Sequence, residues 1–117
     1  MKSVNEKLKE IKLLIGRLEK DTPKQIEAFN KFMQATESSN AIDRKMQELI
    51  NLALAVAAQC EWCIALHVNG AIDAGASKEE ILESAMQAVL MHGGPALMYM
   101  IPVENAINEL LEGKEDE

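Results

Sequence analysis

Two cysteines and one histidine share a short stretch of the chain that could carry out chemistry. Cys60-Glu61-Trp62-Cys63 is followed by His67, so the thiols are three residues apart and the imidazole is four further on. These spacings place the three side chains on one helical face. Cα atoms three apart in a helix lie about 5 Å from each other, which a disulfide tolerates. The stretch therefore favours a redox dithiol, whose thiolate attacks a peroxide or a disulfide sulfur.

Other uses of this stretch fit its spacing less well. A structural zinc site needs two ligand pairs separated by a dozen or more residues. The chain has no second pair, and its only other histidine is His92. A c-type haem needs a histidine directly after the second cysteine, where Ile64 stands. A thioredoxin-type site needs neighbouring strands, which the pattern does not predict. A three-ligand zinc site and a pair of buried, unreactive cysteines stay open as alternatives.

A redox dithiol also needs a group that moves protons. His67 lies one turn after Cys63 and could accept or relay its proton, although it could equally be a core histidine bonded to backbone. Glu48 stands at the edge of an apolar segment, where a carboxylate is costly unless it is paired. Spacing alone slightly favours an exposed Glu48 on the first turn of its helix, beside two basic residues.

Two effects compete to decide which thiol attacks. The helix dipole favours a thiolate at Cys60, at the helix start, and is worth about 0.3–1 kcal/mol. A positioned base such as His67 favours Cys63 and contributes about 10²–10⁴-fold in rate, or ~3–5 kcal/mol. We therefore expect Cys63 to be the nucleophile.

The elements that must position these side chains are predicted to be helices throughout the chain. Apolar residues recur at helical spacing, and no run alternates with period two, so an all-α fold of about six helices is predicted. Caps and breakers divide the chain. The first predicted helix covers about residues 3–20, and the second begins at Pro23, with Thr22 as its N-cap and Gln25 in a capping box. The third runs from its N-cap Asp43 to about Ala58, the fourth from Cys60 or Glu61 to just before Gly75, and the fifth from a capping box at Ser77 to about Met91. The sixth opens at Gly93-Gly94-Pro95 and continues to Leu111 with a kink at Pro102, and an acidic tail follows at 112–117.

The third predicted helix is apolar on nearly every side. From Leu49 to Ala58 its only polar residue is Asn51. Such a helix must be buried all round, which a short chain does more easily with a second subunit. We therefore expect a homo-oligomer, with the Leu/Ile stripe of the first helix as a candidate interface element.

Length and composition limit the classes of function. The 117 residues, 48% hydrophobic and 26% charged, are typical of one soluble globular domain. The net charge of -7 argues against nucleic-acid binding. It is uneven, because residues 1–24 carry +3 and the remainder -10. The first twenty residues contain no apolar run of signal-peptide length, and the longest apolar run, Leu52 to Ala58, is far shorter than a membrane span, so a cytoplasmic protein without a membrane partner is expected.

Several motifs together resemble the alkylhydroperoxidase D-like branch of the carboxymuconolactone decarboxylase family, over about residues 35–111 of a single domain, 1–117. The resemblance rests on a glutamate, eleven residues, Cys-x-x-Cys, three residues and a histidine, with further matching segments. The matching segments are Arg44-Lys45-Met46-Gln47-Glu48-Leu49-Ile50, Ala55-Val56-Ala57, Cys60-Glu61-Trp62-Cys63, His67, Ala74-Gly75-Ala76-Ser77-Lys78-Glu79-Glu80-Ile81 and Gly93-Gly94-Pro95-Ala96.

The resemblance implies a fold, an assembly and residue roles. It implies an all-helical trimer or hexamer and a thiol-dependent peroxidase or disulfide oxidoreductase without a cofactor or a metal. Cys63 would be the peroxidatic cysteine that becomes a sulfenic acid, and Cys60 its proton donor and resolving partner. Glu48 and His67 would form the proton relay. One departure is visible, since well-studied members carry a second histidine between the cysteines, where this chain has Trp62.

Two other classes of function remain as alternatives. One is a decarboxylase- or isomerase-like enzyme acting on a lactone acid, although that branch generally lacks the cysteine pair. The other is a helical oligomer that binds a metal or a partner without catalysis. In the leading interpretation the substrate is a small-molecule peroxide, and electrons come from a thiol donor whose identity the residues do not indicate.

Overall fold

The computed structural model describes residues 2–38 and 40–112, and within them the chain forms helices and no strand. The predicted all-α class is therefore confirmed. None of the described helices is of the length and apolarity that crossing a bilayer would require. The elements are α1 (Val4–Asp21), α2 (Pro23–Glu37), α3 (Arg44–Ala57), α4 (Glu61–Asp73), α5 (Lys78–His92), α6 (Gly94–Met98), α7 (Met100–Ile107) and a π-helical turn (Asn108–Glu112). Of the predicted acidic tail, residues 113–117 lie outside the described part.

Local capping signals define most helix ends as predicted. Asp43 accepts the Met46 N–H at 2.8 Å and opens α3. Ser77 and Glu80 form the capping box of α5, with bonds of 3.1 and 2.9 Å. The Ser77 backbone N–H is the main reason that the pKa of Glu80 lies below its ordinary value. Gly75 follows α4 with φ +93°, the left-handed conformation that glycine adopts without strain.

The predicted capping box at Thr22 is wrong. The Thr22 side chain makes no cap bond to α2. Its hydroxyl instead donates to the Leu18 carbonyl of α1 at 2.9 Å, and its backbone N–H bonds the same oxygen at 2.7 Å. Thr22 is also the C-cap of α1, and its backbone, at φ -135° and ψ 60°, does not take the extended conformation that is typical of an N-cap residue.

The predicted kink at Pro102 is replaced by a break three residues earlier. The expected sixth helix ends at Met98, and α7 begins at Met100 after Tyr99. Proline cannot donate to the carbonyl four residues back, and its ring crowds that carbonyl, which here belongs to Met98. Pro102 is therefore placed in the first turn of a new helix, where no intrahelical donor is needed.

The core lies where α3 packs against α4 and α5, with α7 against α4. Its largest fully buried side chains are Leu52, Ile64, Ile81, Ile107, Val56, Val68 and Val103. α1 packs across α4, and the Glu109 carboxylate accepts the Val4 N–H at 3.0 Å. This carboxylate satisfies a free donor at the start of α1 and complements the helix dipole.

A single chain covers only one side of the apolar helix α3. Leu52, Ala55 and Val56 are buried, whereas Leu54 is 62% exposed. α2 has no buried residue, and its Phe32 is 67% exposed. The expectation that a second subunit buries the rest of α3 stays a prediction.

Candidate active site

The cysteine pair lies at the junction between α3 and α4, which is held from both sides. The Gln59 N–H bonds the Val56 carbonyl at 3.1 Å, and the Cys60 N–H bonds the Ala55 carbonyl at 3.1 Å. These two bonds form a Schellman motif that ends α3. Cys60 is at the same time the N-cap of α4, and its carbonyl accepts the Ile64 N–H at 2.9 Å. The backbone of Cys60 is therefore fixed by both helices.

Gln59 occupies a position that favours glycine. Its φ is +59°, whereas Gly75 takes the same place in the equivalent motif after α4. We expect Gln59→Gly to raise the free energy of unfolding by about 0.5–1 kcal/mol, because the left-handed strain is relieved. Urea unfolding of the oxidised protein measures the change. The control is Gln87→Gly on the exposed face of α5, which should lower the free energy of unfolding by about 1 kcal/mol. A loss of stability in Gln59→Gly would contradict the strain argument.

Cys60 and Cys63 are joined in a disulfide, and their Cα atoms lie 5.3 Å apart. Cys60 Sγ also accepts the Cys63 N–H at 3.2 Å. The bond closes a loop of one helical turn, which constrains the unfolded chain little. A disulfide of this kind contributes little to stability and is suited to being formed and broken.

Glu48 and His67 meet between α3 and α4. His67 Nδ1 lies 3.4 Å from Glu48 Oε2, and both side chains are about one-fifth exposed. When the carboxylate is ionised it can only accept, and Nδ1 is then the donor of this long hydrogen bond. In the neutral ring Nε2 is then the free acceptor. Glu48 is therefore paired, which contradicts the solvent-exposed position that spacing alone favoured.

An open concave surface brings the disulfide and the imidazole together. Six side chains line it, with Cys63 and His67 supplied by α4. The other four are Asn51, Leu54, Ala55 and Ala58. A ligand there meets one sulfur, one imidazole and one amide among small apolar groups. Cys60 and His92 are not among these residues, and His92 is exposed at the end of α5.

Sequence reasoning placed the cysteines and His67 together and missed Gly70. A Cβ at this position would lie 1.6 Å from Glu48 Oε2, so the carboxylate rests on the bare backbone of α4. A glycine in a helix interior, one turn after His67, was the available signal. Among the described residues there is no group of three or more His, Cys, Asp or Glu side chains that could hold a metal ion.

Helix α1 contacts both residues between the cysteines. The Trp62 indole N–H donates to Glu10 Oε1 at 3.1 Å, and Lys2 bonds the same carboxylate. The buried Lys7 ammonium lies 3.8 Å from Glu61 Oε2. Trp62, at which the chain departs from the motif that it resembles, is thus tied to α1 through its indole N–H.

The tie between Glu10 and Trp62 predicts a pH-dependent signal. The hydrogen bonds from Lys2 and then Trp62 hold the pKa of Glu10 below its ordinary value of 4.5. A depressed pKa means that this stabilisation is complete above pH 4.5 and is lost as the pH falls through the folded-state value. Trp62 is the chain's one tryptophan, so its fluorescence reports the loss directly. We expect a fluorescence step below pH 4.5 that Glu10→Gln lacks; the same step in both proteins would contradict the assignment.

Comparison with known proteins identifies relatives across most of the chain. The carboxymuconolactone decarboxylase family matches residues 23–103. An uncharacterized protein of the cox locus of Paracoccus denitrificans is 37% identical over 60% of this chain and 63% of its own length. The match therefore spans slightly less than two thirds of that relative. An uncharacterized protein from Cupriavidus necator is 32% identical over 80% of this chain and 82% of its own.

A named enzyme and two solved structures add to this. A nitrosuccinic acid decarboxylase from Metarhizium robertsii is 31% identical over 61% of this chain and 50% of its own. The apo form of a carboxymuconolactone decarboxylase family protein from Legionella pneumophila superposes with a TM-score of 0.85 at 37% identity, covering 91% of this chain and 95% of that one. A Thermotoga maritima member, with a suggested part in the antioxidative response, also superposes with a TM-score of 0.85, at 22% identity and 95% and 94% coverage.

Proposed function

The chain belongs to the carboxymuconolactone decarboxylase family, and from this premise we propose that it is a thiol-dependent peroxidase or disulfide oxidoreductase. The family includes enzymes, and its alkylhydroperoxidase D-like branch is compatible with this chain. The observation that carries the proposal is the Cys60–Cys63 disulfide, whose Cys63 shares a concave surface with an imidazole backed by a carboxylate.

The proposed cycle begins from the reduced dithiol. His67 Nε2 takes the thiol proton of Cys63, and the thiolate attacks the outer oxygen of a hydroperoxide. The O–O bond breaks, Cys63 becomes a sulfenic acid, and the leaving alkoxide takes a proton from the imidazolium. The Cys60 thiol then displaces water from the sulfenic acid and re-forms the disulfide. Two thiols of an external donor reduce the disulfide and are themselves oxidised to a disulfide.

The lining of the concave surface favours this reaction over decarboxylation. A carboxylate substrate calls for a cationic partner, best an arginine fork. The described residues that line the surface are apolar except for Cys63, His67 and the Asn51 amide, and include neither Lys nor Arg. A small peroxide with an uncharged body fits such a lining. The named decarboxylase among the relatives keeps the alternative testable, because a carboxylic acid substrate would be consumed without any change in thiol content.

A thiol count tests the proposal directly. We expect the reduced protein to show two reactive thiols per chain, to lose both on adding one equivalent of hydroperoxide, and to regain both with a dithiol reductant. Thiols that persist while peroxide is untouched would overturn the redox function. Stoichiometric zinc in the purified protein, measured by elemental analysis, would overturn it in favour of metal binding.

We also propose that the working form is a cytoplasmic homo-oligomer, a trimer or a hexamer. Large apolar side chains stay exposed on several helices, including Phe29 at 51%, Leu90 at 75% and Met91 at 77%. The basic start of the chain and the acidic remainder can attract each other between copies. Light scattering during gel filtration at micromolar concentration tests the assembly, and a stable monomer would overturn it.

A further inference from the structure

Gly70 lies inside α4, where glycine weakens a helix relative to alanine. The reason for it is visible across the helix interface. A Cβ at this position would lie 1.6 Å from Oε2, 2.6 Å from Cδ and 3.3 Å from Cγ of Glu48. No side chain can occupy that space while the carboxylate stays where it is.

From this overlap we infer that Gly70 is a positioning residue for the proton relay. The missing side chain lets the Glu48 carboxylate lie against α4, within 3.4 Å of His67 Nδ1. His67 and Gly70 are three residues apart, so they share the helix face that Glu48 covers. Gly70 thereby selects the ring tautomer that leaves Nε2 free as a base. Its effect on catalysis rests on the proposed function, whereas its effect on the tautomer does not.

The overlap predicts displacement of a side chain rather than of the backbone. The atoms that a Cβ would meet are the outer atoms of Glu48, which can rotate away about their own side-chain bonds. Gly70→Ala should therefore fold with the carboxylate moved away from Nδ1.

Gly16 supplies the matched control. It lies inside α1, and a Cβ there would have no neighbour within 4 Å. Gly16→Ala makes the same chemical change in a helix without touching any side chain. It should raise the thermal unfolding midpoint and leave both the imidazole and the thiol reactivity unchanged.

The decisive measurement is the ring nitrogen NMR spectrum, in which His92 serves as an internal reference. We expect wild type and Gly16→Ala to show His67 protonated at Nδ1. Gly70→Ala should shift His67 towards the Nε2-protonated tautomer and slow the single-turnover reaction of the reduced protein with hydroperoxide by at least about tenfold. An unchanged His67 tautomer in Gly70→Ala would overturn the inference. A changed tautomer with an unchanged peroxide rate would support the positioning role and count against the relay in the proposed function.

A second variant guards against a folding failure. In a Glu48→Ala background the carboxylate is gone, so Gly70→Ala should change neither the tautomer nor the peroxide rate further and should raise the unfolding midpoint. If Gly70→Ala alone fails to fold and the double variant folds, the overlap with Glu48 is the reason for the glycine, but the expectation that only the Glu48 side chain moves is wrong. If the double variant also fails to fold, the overlap is not the reason for the glycine, and the inference is wrong.

Discussion

Cys63→Ser is expected to slow peroxide consumption on the order of 10³-fold or more, because a hydroxyl replaces the attacking thiolate. Cys60→Ser should behave differently. Its Cys63 still reacts once with peroxide at close to the wild-type rate, but no resolving thiol follows. The sulfenic acid then persists at Cys63, and turnover stops after one equivalent.

One feature of the structure favours Cys60 as the attacking thiol, and another favours Cys63. The Cys63 N–H donates to the Cys60 Sγ of the disulfide at 3.2 Å, and the same bond to a thiolate in the reduced protein would be worth about 1.5–3 kcal/mol. Cys63, in contrast, lines the concave surface together with His67. A positioned base contributes about 10²–10⁴-fold in rate, or ~3–5 kcal/mol, so its effect is the larger of the two. Cys63 also lines the surface through which peroxide would approach, which likewise favours Cys63 as the nucleophile.

Stopped-flow peroxide consumption and mass spectrometry of the trapped sulfenic acid distinguish the two assignments. The double variant Cys60→Ser/Cys63→Ser serves as the blank. If Cys63→Ser reacts rapidly and Cys60→Ser does not, the roles of the thiols are reversed. The backbone bond to Cys60 Sγ, rather than the relay, would then determine reactivity.

His67→Ala is expected to slow the first reaction with peroxide by about 10²–10⁴-fold, as removal of a positioned general base does. Glu48→Gln should slow the same reaction less, by about 10–100-fold, because Glu48 acts only by orienting the imidazole ring of His67. Combining both changes should be no worse than His67→Ala alone, since the carboxylate has no other route to the sulfur. Thermal unfolding should show all three variants folded.

His92→Ala is the matched control, because His92 is exposed at the end of α5 and is absent from the lining of the site. It should retain the wild-type rate. A His67→Ala protein that keeps full reactivity towards peroxide would contradict the relay and leave the N-terminus of α4 as the source of thiolate activation. Additive losses in the His67→Ala/Glu48→Gln protein would show that Glu48 acts independently of the imidazole.

Local chemistry determined much of the fold in advance. Asp43, Ser77 and Gly75 define helix ends through groups within a few residues, so their sequence context was sufficient. Thr22 and Pro102 were mispredicted for the opposite reason. Thr22 also ends α1, so its backbone does not take the extended conformation of an N-cap, and its hydroxyl donates to the Leu18 carbonyl of that helix. The break at Tyr99 depends on how a whole helix accommodates the proline ring.

The candidate site divides in the same way. Cys63 and His67 share α4, with Cys60 as its N-cap, and helical periodicity alone places residues four apart on one face. The position of Glu48 could not be derived in this manner, because it depends on how α3 lies against α4. Only the tertiary structure brings its carboxylate 3.4 Å from His67, over the one position of that face, Gly70, where a side chain is missing. Spacing along one helix fixes neighbours on that helix, whereas a contact between helices depends on packing angle and on the volume that each side chain leaves free.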